Sequence, residues 1–149
     1  MNKLKIALIL SMSVLSTTAF AGACDVTIES TAAMAFNAKE IAVPKTCKEI
    51  TITLKNTGTM AKNIMGHNLV IAKTSDMKAV LEDGNTAGLA SNYVKAKDNR
   101  VVAYTNVIGG GETATVKFKT KGIDAKTEYM YFCSFPGHSS MMKGVFKLI

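Results

Sequence analysis

The chain has 149 residues, 48% of them hydrophobic, a formal net charge of +7, three cysteines and two histidines. That length suits one domain with a core of its own. The lysines are scattered, with no polybasic run and no interleaved aromatics, which argues against nucleic-acid binding and leaves a solvated basic surface with a mild attraction for acidic partner proteins.

The first element in the chain is a targeting segment. Residues 1–5 carry Lys3 and Lys5, an apolar run extends from Ile6 to about Leu15, and Ala19-Phe20-Ala21 has the small-x-small form of a cleavage site. This is the pattern of a secretory signal peptide over residues 1–21, too short and wrongly flanked for a membrane anchor. Cleavage after Ala21 leaves residues 22–149 as a single domain and lowers the net charge to +5 by removing the two lysines. No later stretch approaches the length of a spanning helix, so stable membrane insertion is not expected. Export implies a compartment in which disulfides persist.

The mature part reads as short strands separated by turns. A first strand is expected at 24–28. Ile50, Ile52 and Leu54 then alternate with Thr51, Thr53 and Lys55, a period of two with one face buried. The run 68–73 is a further strand. A helix follows, capped by Thr74 or Ser75, with Met77, Val80 and Leu81 on one face and Gly84 able to end it. Residues 85–99 are a weakly patterned excursion. Strands are expected again at 100–105, around Val116 and Phe118, at 128–133 and at 144–149, with Gly109-Gly110-Gly111 as a turn between two of them. The pattern predicts an all-β, Greek-key β-sandwich of about eight strands with one inserted short helix.

The cysteines divide two and one. Cys24 and Cys47 both lie in the N-terminal part, and pairing them would contribute about 3 kcal/mol in the chain-entropy model. The alternative, a lipid anchor at Cys24, requires a larger aliphatic residue where Ala21 stands and would leave Cys47 single. The disulfide is the better reading.

Cys133 is then a spare thiol. By strand alternation it shares an inward face with Tyr129 and Tyr131. The chain leaves that strand through Phe135-Pro136-Gly137, delivers His138, and reaches Met142 four residues later. A thiolate, an imidazole and a thioether on one loop are soft to borderline ligands that suit copper. The only other histidine is His67, at the entrance of the apolar strand 68–73. Alone it would read as a structural residue. Beside Cys133-x4-His138-x3-Met142 it completes a His2Cys set with a weak axial methionine, whereas zinc would make poor use of the thioether.

With these residues in place the sequence resembles the azurins of the blue-copper cupredoxin family. The resemblance rests on NIMGHN at 63–68, YFCSFPGHSSMMKG at 131–144, Asp83-Gly84 and the Cys24/Cys47 pair, and extends over the whole mature chain. It implies one copper ion held by His67, Cys133 and His138, with Met142 and the Gly66 backbone carbonyl as weak ligands on opposite sides. Asn68, Ser134 and Phe135 would support these ligands by hydrogen bonding. An apolar patch of Met34, Met60, Met65, Phe135, Pro136 and Gly137 around His138 would receive transient redox partners, such as c-type cytochromes or copper and haem reductases. The same resemblance implies a periplasmic electron shuttle, not an enzyme. Two departures stand out. Leu69 follows Asn68 where family members commonly carry tryptophan, and Asn56 occupies the place of a non-ligand histidine that some use as a pH switch. No such switch is expected here.

Overall fold

The computed structural model describes residues 20–21 and 24–149. Apart from Phe20 and Ala21, the expected signal peptide lies outside the described residues. Those two form a short strand, β1 (Phe20–Ala21). The others are β2 (Asp25–Thr31), β3 (Ala35–Phe36), β4 (Glu40–Val43), β5 (Glu49–Asn56), β6 (Val70–Lys73), β7 (Val101–Tyr104), β8 (Thr113–Lys119), β9 (Tyr129–Phe132) and β10 (Lys143–Leu148). They build two sheets, in the orders β1-β4-β10-β9-β6-β7 and β3-β2-β5-β8. Setting aside the two-residue strands β1 and β3, eight remain, as the sequence pattern predicts.

The sheets face each other across a core that follows from the alternation. Ile50, Ile52 and Leu54 of β5 are fully buried, and β2 lies parallel to it with Val26 beside Ile52 and Ile28 beside Leu54. Tyr131, Phe146 and Ile71 close the core from the other sheet. The β6 run Val70-Ile71-Ala72 is buried on both faces. Its outer side is covered by α2 (Met77–Ala87) and by Val94, which form a second apolar cluster with Val70, Ala72, Val80 and Phe132. This double burial is why 68–73 reads as a continuous apolar run rather than an alternating one. Leu69 is fully buried in the main core.

Three details differ from the expectation. Strand β4 carries Ile41, Ala42 and Val43 buried in succession, so it shows no period of two. A four-residue helix, α1 (Lys62–Met65), precedes His67. Helix α2 continues past Gly84 and stops at Gly88, whose φ of 74° is the left-handed conformation that favours glycine. Gly84 serves packing instead, because a Cβ there would collide with the Tyr93 carbonyl.

A disulfide joins Cys24 to Cys47, with Cα atoms 5.7 Å apart. Among the described residues no helix is long and apolar enough to cross a membrane.

Candidate metal centre

Two separate pieces of backbone meet at one end of the sandwich. The first begins where α1 ends at Gly66. A Cβ on Gly66 would lie 2.6 Å from Val107 Cγ1 and would also strike the Lys62 carbonyl, so only glycine lets the chain pass. His67 then forms a two-way backbone bridge with Ile108: its N–H donates to the Ile108 carbonyl at 3.0 Å, and its carbonyl accepts from the Ile108 N–H at 2.9 Å. The next N–H but one, on Leu69, donates to Thr105 Oγ1 at 3.0 Å. The ring of His67 is thereby fixed inside the protein, fully buried.

The second piece is the loop between β9 and β10. These strands pair antiparallel with Phe132 opposite Lys143, and the Cys133 N–H donates to the Met142 carbonyl at 3.0 Å. The loop is therefore closed at its base by the two residues that bound it. Inside it, the His138 N–H donates to the Phe135 carbonyl at 3.1 Å, and the Met142 N–H donates to the His138 carbonyl at 2.8 Å. Cys133 and Met142 are fully buried, and His138 is 4% exposed.

The structure brings His67, Cys133 and His138 together. Their nearest ligand atoms all lie within 4.8 Å of one another, Cys133 Sγ is 3.7 Å from His138 Nδ1, and the two imidazole centroids are 5.0 Å apart. Asn68 joins the two pieces. Its Oδ1 accepts from the Ser134 N–H at 2.8 Å, and its Nδ2 donates to Ser134 Oγ and to the Asn92 carbonyl, each at 2.8 Å. Phe135 stacks on the His138 ring at 4.6 Å.

Burial shapes the protonation of this cluster. It lowers the pKa of His67 to about 4, with the charge of His138 adding to the effect and the nearby Thr31 backbone partly offsetting it. Neither ring nitrogen of His67 makes a hydrogen bond of ordinary geometry. His138 is lowered by burial as well. The Cys133 thiol is pushed up to about 11 by burial, against the pull of the Asn68 and Phe135 backbone N–H groups, which favour the thiolate. Without a metal, the neutral-pH cluster is two uncharged imidazoles and a thiol. Two orphaned imidazole nitrogens beside a buried sulfur form an incomplete arrangement for hydrogen bonding and a suitable one for a cation. The donor set fits copper.

The remaining residues singled out by sequence differ in their exposure. Gly66 is buried beside His67, while Pro136 and Gly137 are exposed next to His138. Met60 is 42% exposed, and Met34, Met65 and Phe135 are half-buried. Ile64, on α1, is 58% exposed. Asn56 is buried, its Oδ1 accepting from the Gly58 N–H at 2.9 Å and its Nδ2 donating to the Ile108 carbonyl at 3.4 Å.

A two-sheet sandwich carrying a buried His-Cys-His cluster on its end loops defines a copper protein of the cupredoxin class. The chain belongs to the plastocyanin/azurin family of copper-binding proteins, whose family model matches residues 22–149. It is similar to Azurin-2 of Alcaligenes xylosoxydans xylosoxydans, 57% identical over 84% of this chain and 97% of that one. It is also similar to the azurin of Alcaligenes faecalis, 56% identical over 85% of this chain and 98% of the relative. Among solved structures, the azurin Az-iso2 of Methylomonas sp. strain J superposes with a TM-score of 0.82 at 43% identity, covering 86% of this chain and 99% of that chain.

Proposed function

We propose that the mature chain, residues 22–149, is a periplasmic type 1 copper protein that carries single electrons between partner proteins and transforms no substrate of its own. The observation that carries this reading is the convergence of the His67, Cys133 and His138 ligand atoms within 4.8 Å in a water-excluding pocket. In this assignment His67, Cys133 and His138 would be the principal ligands, and Met142 and the Gly66 carbonyl would be weak ones. Copper, when bound, supplies a one-electron Cu(I)/Cu(II) couple.

The chain's own residues explain why such a couple would work well here. Electron transfer is fast when little rearranges between oxidation states. The His67–Ile108 bridge, the Cys133–Met142 closure and the Asn68–Ser134 hydrogen bonds hold the donor atoms from three directions. Complete burial of His67, Cys133 and Met142 keeps water from reorganising around them. The Asn68 and Phe135 N–H groups disperse charge from the Cys133 sulfur. His138 lies under Phe135 and beside the exposed Pro136-Gly137 corner, which makes it the short way out.

Docking would use that corner together with Met34, Met60, Met65 and Phe135, an adaptable apolar surface suited to brief contacts with c-type cytochromes or copper and haem reductases. Protein-film voltammetry on the copper-loaded mature chain tests the proposal. A reversible one-electron wave supports it; a copper-loaded protein with no reversible wave, or one that surrenders copper on reduction, overturns it in favour of a copper carrier.

A further inference from the structure

The excursion between α2 and β7 supplies no ligand and has no regular element longer than one turn, yet the ligand-bearing segments meet there. Its two ends are held together. Arg100 donates to Asp83 at 2.5 Å and to both carboxylate oxygens of Asp98, at 2.6 and 2.8 Å, while Lys95 donates to Asp83 at 3.2 Å. Between these anchors one helical turn, Leu89–Ser91, runs into Asn92 and Tyr93, which have φ of 58° and 52°. Two consecutive non-glycine residues in the left-handed region persist only where the surroundings over-determine them.

Those surroundings are the walls of the metal cluster. The Asn92 carbonyl accepts from Asn68 Nδ2 at 2.8 Å and from Ser134 Oγ at 3.5 Å, the neighbours of His67 and Cys133 respectively. Asn92 Oδ1 accepts from the Val107 N–H at 2.8 Å, and its Nδ2 donates to Asn106 Oδ1 at 3.2 Å. Val107 packs against Gly66 and precedes Ile108, the backbone partner of His67. The Tyr93 ring meets Phe135 edge-on at 5.2 Å, and Phe135 stacks on His138. One two-residue turn therefore touches a neighbour of each of the three principal donors.

We propose that Asn92 and Tyr93 form a positioning turn that sets His67, Cys133 and His138 relative to one another before copper arrives, an inference that rests on the copper reading above. His67 and the Cys133–His138 loop come from different parts of the chain, so their spacing is not fixed by local geometry. The left-handed conformation at Asn92 aims its carbonyl at Asn68 and Ser134 together. A change that lets this residue relax out of that conformation moves the acceptor away from both pieces at once. Asparagine suits the position because it tolerates positive φ and its amide can reach Val107 and Asn106.

The test compares Asn92→Ala, Asn92→Gly and Asn92→Asp in the mature chain. Thr120→Val serves as a control that removes a hydrogen bond to the Cys47 carbonyl, away from the ligand segments. The readouts are amide exchange at Ser134 and Ile108 in the copper-free chain, the Cu(II) paramagnetic-resonance spectrum, and the rate of copper loss to a chelator. Asn92→Ala should accelerate exchange at both amides, alter the copper hyperfine splitting and weaken copper retention about tenfold or more. Asn92→Asp, which keeps the acceptor and the tolerance of positive φ, should restore the wild-type spectrum, and Asn92→Gly should fall between. Thr120→Val should lower stability and leave the spectrum unchanged. A folded Asn92→Ala chain with wild-type exchange, spectrum and copper retention overturns the proposal. If that variant does not fold, Tyr93→Leu decides the matter: shifted His138 ring resonances in the copper-free chain support the positioning turn, and unchanged ones overturn it. A wild-type chain that takes up Cu(II) without an intense thiolate band would overturn the copper reading separately, while the exchange data still decide whether the turn orders the donors.

Discussion

Replacing Asn68 by alanine removes the side chain that fastens the two halves of the metal cluster. Three hydrogen bonds disappear, each 2.8 Å long: Ser134 N–H to Oδ1, and Nδ2 to Ser134 Oγ and to the Asn92 carbonyl. At about 1 kcal/mol net for each, their loss costs about 3 kcal/mol. The Ser134 hydroxyl can turn towards the Asn92 carbonyl, 3.5 Å away, and so partly satisfies that acceptor. The Ser134 N–H has no such substitute in a residue only 3% exposed, which adds about 1 kcal/mol or more. The expected total of about 4 kcal/mol is a large fraction of the 5–15 kcal/mol that holds a domain of this size. Urea unfolding of the copper-free mature chain, followed by circular dichroism, measures it directly. A loss below about 1 kcal/mol, with wild-type amide exchange at Ser134, would refute the view that Asn68 fastens the site.

Three further predictions concern protons and the disulfide. Because burial lowers the His67 pKa to about 4, and lowers His138 too, the unfolded copper-free chain binds more protons than the folded one below pH 6.5. Stability is therefore fully present above pH 6.5 and falls as pH drops towards 4, by up to about 1.4 kcal/mol per pH unit for His67 alone; urea midpoints that stay flat over this window would contradict the burial argument. With the Cys133 thiol at about 11 and both imidazoles neutral, Cu(II) uptake at pH 7.5 should release about one proton per ion, readable with a pH indicator in weak buffer. A release near zero would mean that Cys133 is not a ligand. Replacing both Cys24 and Cys47 by serine should cost about 3 kcal/mol and lower the copper-free melting temperature by about 10 °C while leaving the Cu(II) spectrum intact; a changed spectrum would place the disulfide in contact with the site.

The site was legible because its chemistry is scarce. The chain has two histidines and one cysteine outside the disulfide, so the Cys133, His138 and Met142 spacing left His67 as the only histidine that could complete the set. The one-face strands were legible for a related reason, since the alternation at Ile50, Ile52 and Leu54 follows from having core on one side and solvent on the other. Strand β4 was not, because its consecutive burial erases the period of two. The end of α2 was misplaced because Gly84 is required by the Tyr93 carbonyl, a contact from a later part of the chain. Asn92 and Tyr93 lie in a stretch without periodicity, and their importance arises from left-handed backbone and from partners at Asn68, Val107 and Phe135. Such coupling is a property of the folded arrangement and leaves no mark in local sequence.

The most direct test of the central claim is the visible absorption spectrum of the mature chain with one equivalent of Cu(II), recorded before and after ascorbate. Copper held by Cys133 should give an intense blue thiolate-to-copper band that bleaches on reduction and returns on reoxidation, and that is absent from Cys133→Ser. A pale or colourless product, or a band that survives the loss of Cys133, would contradict it.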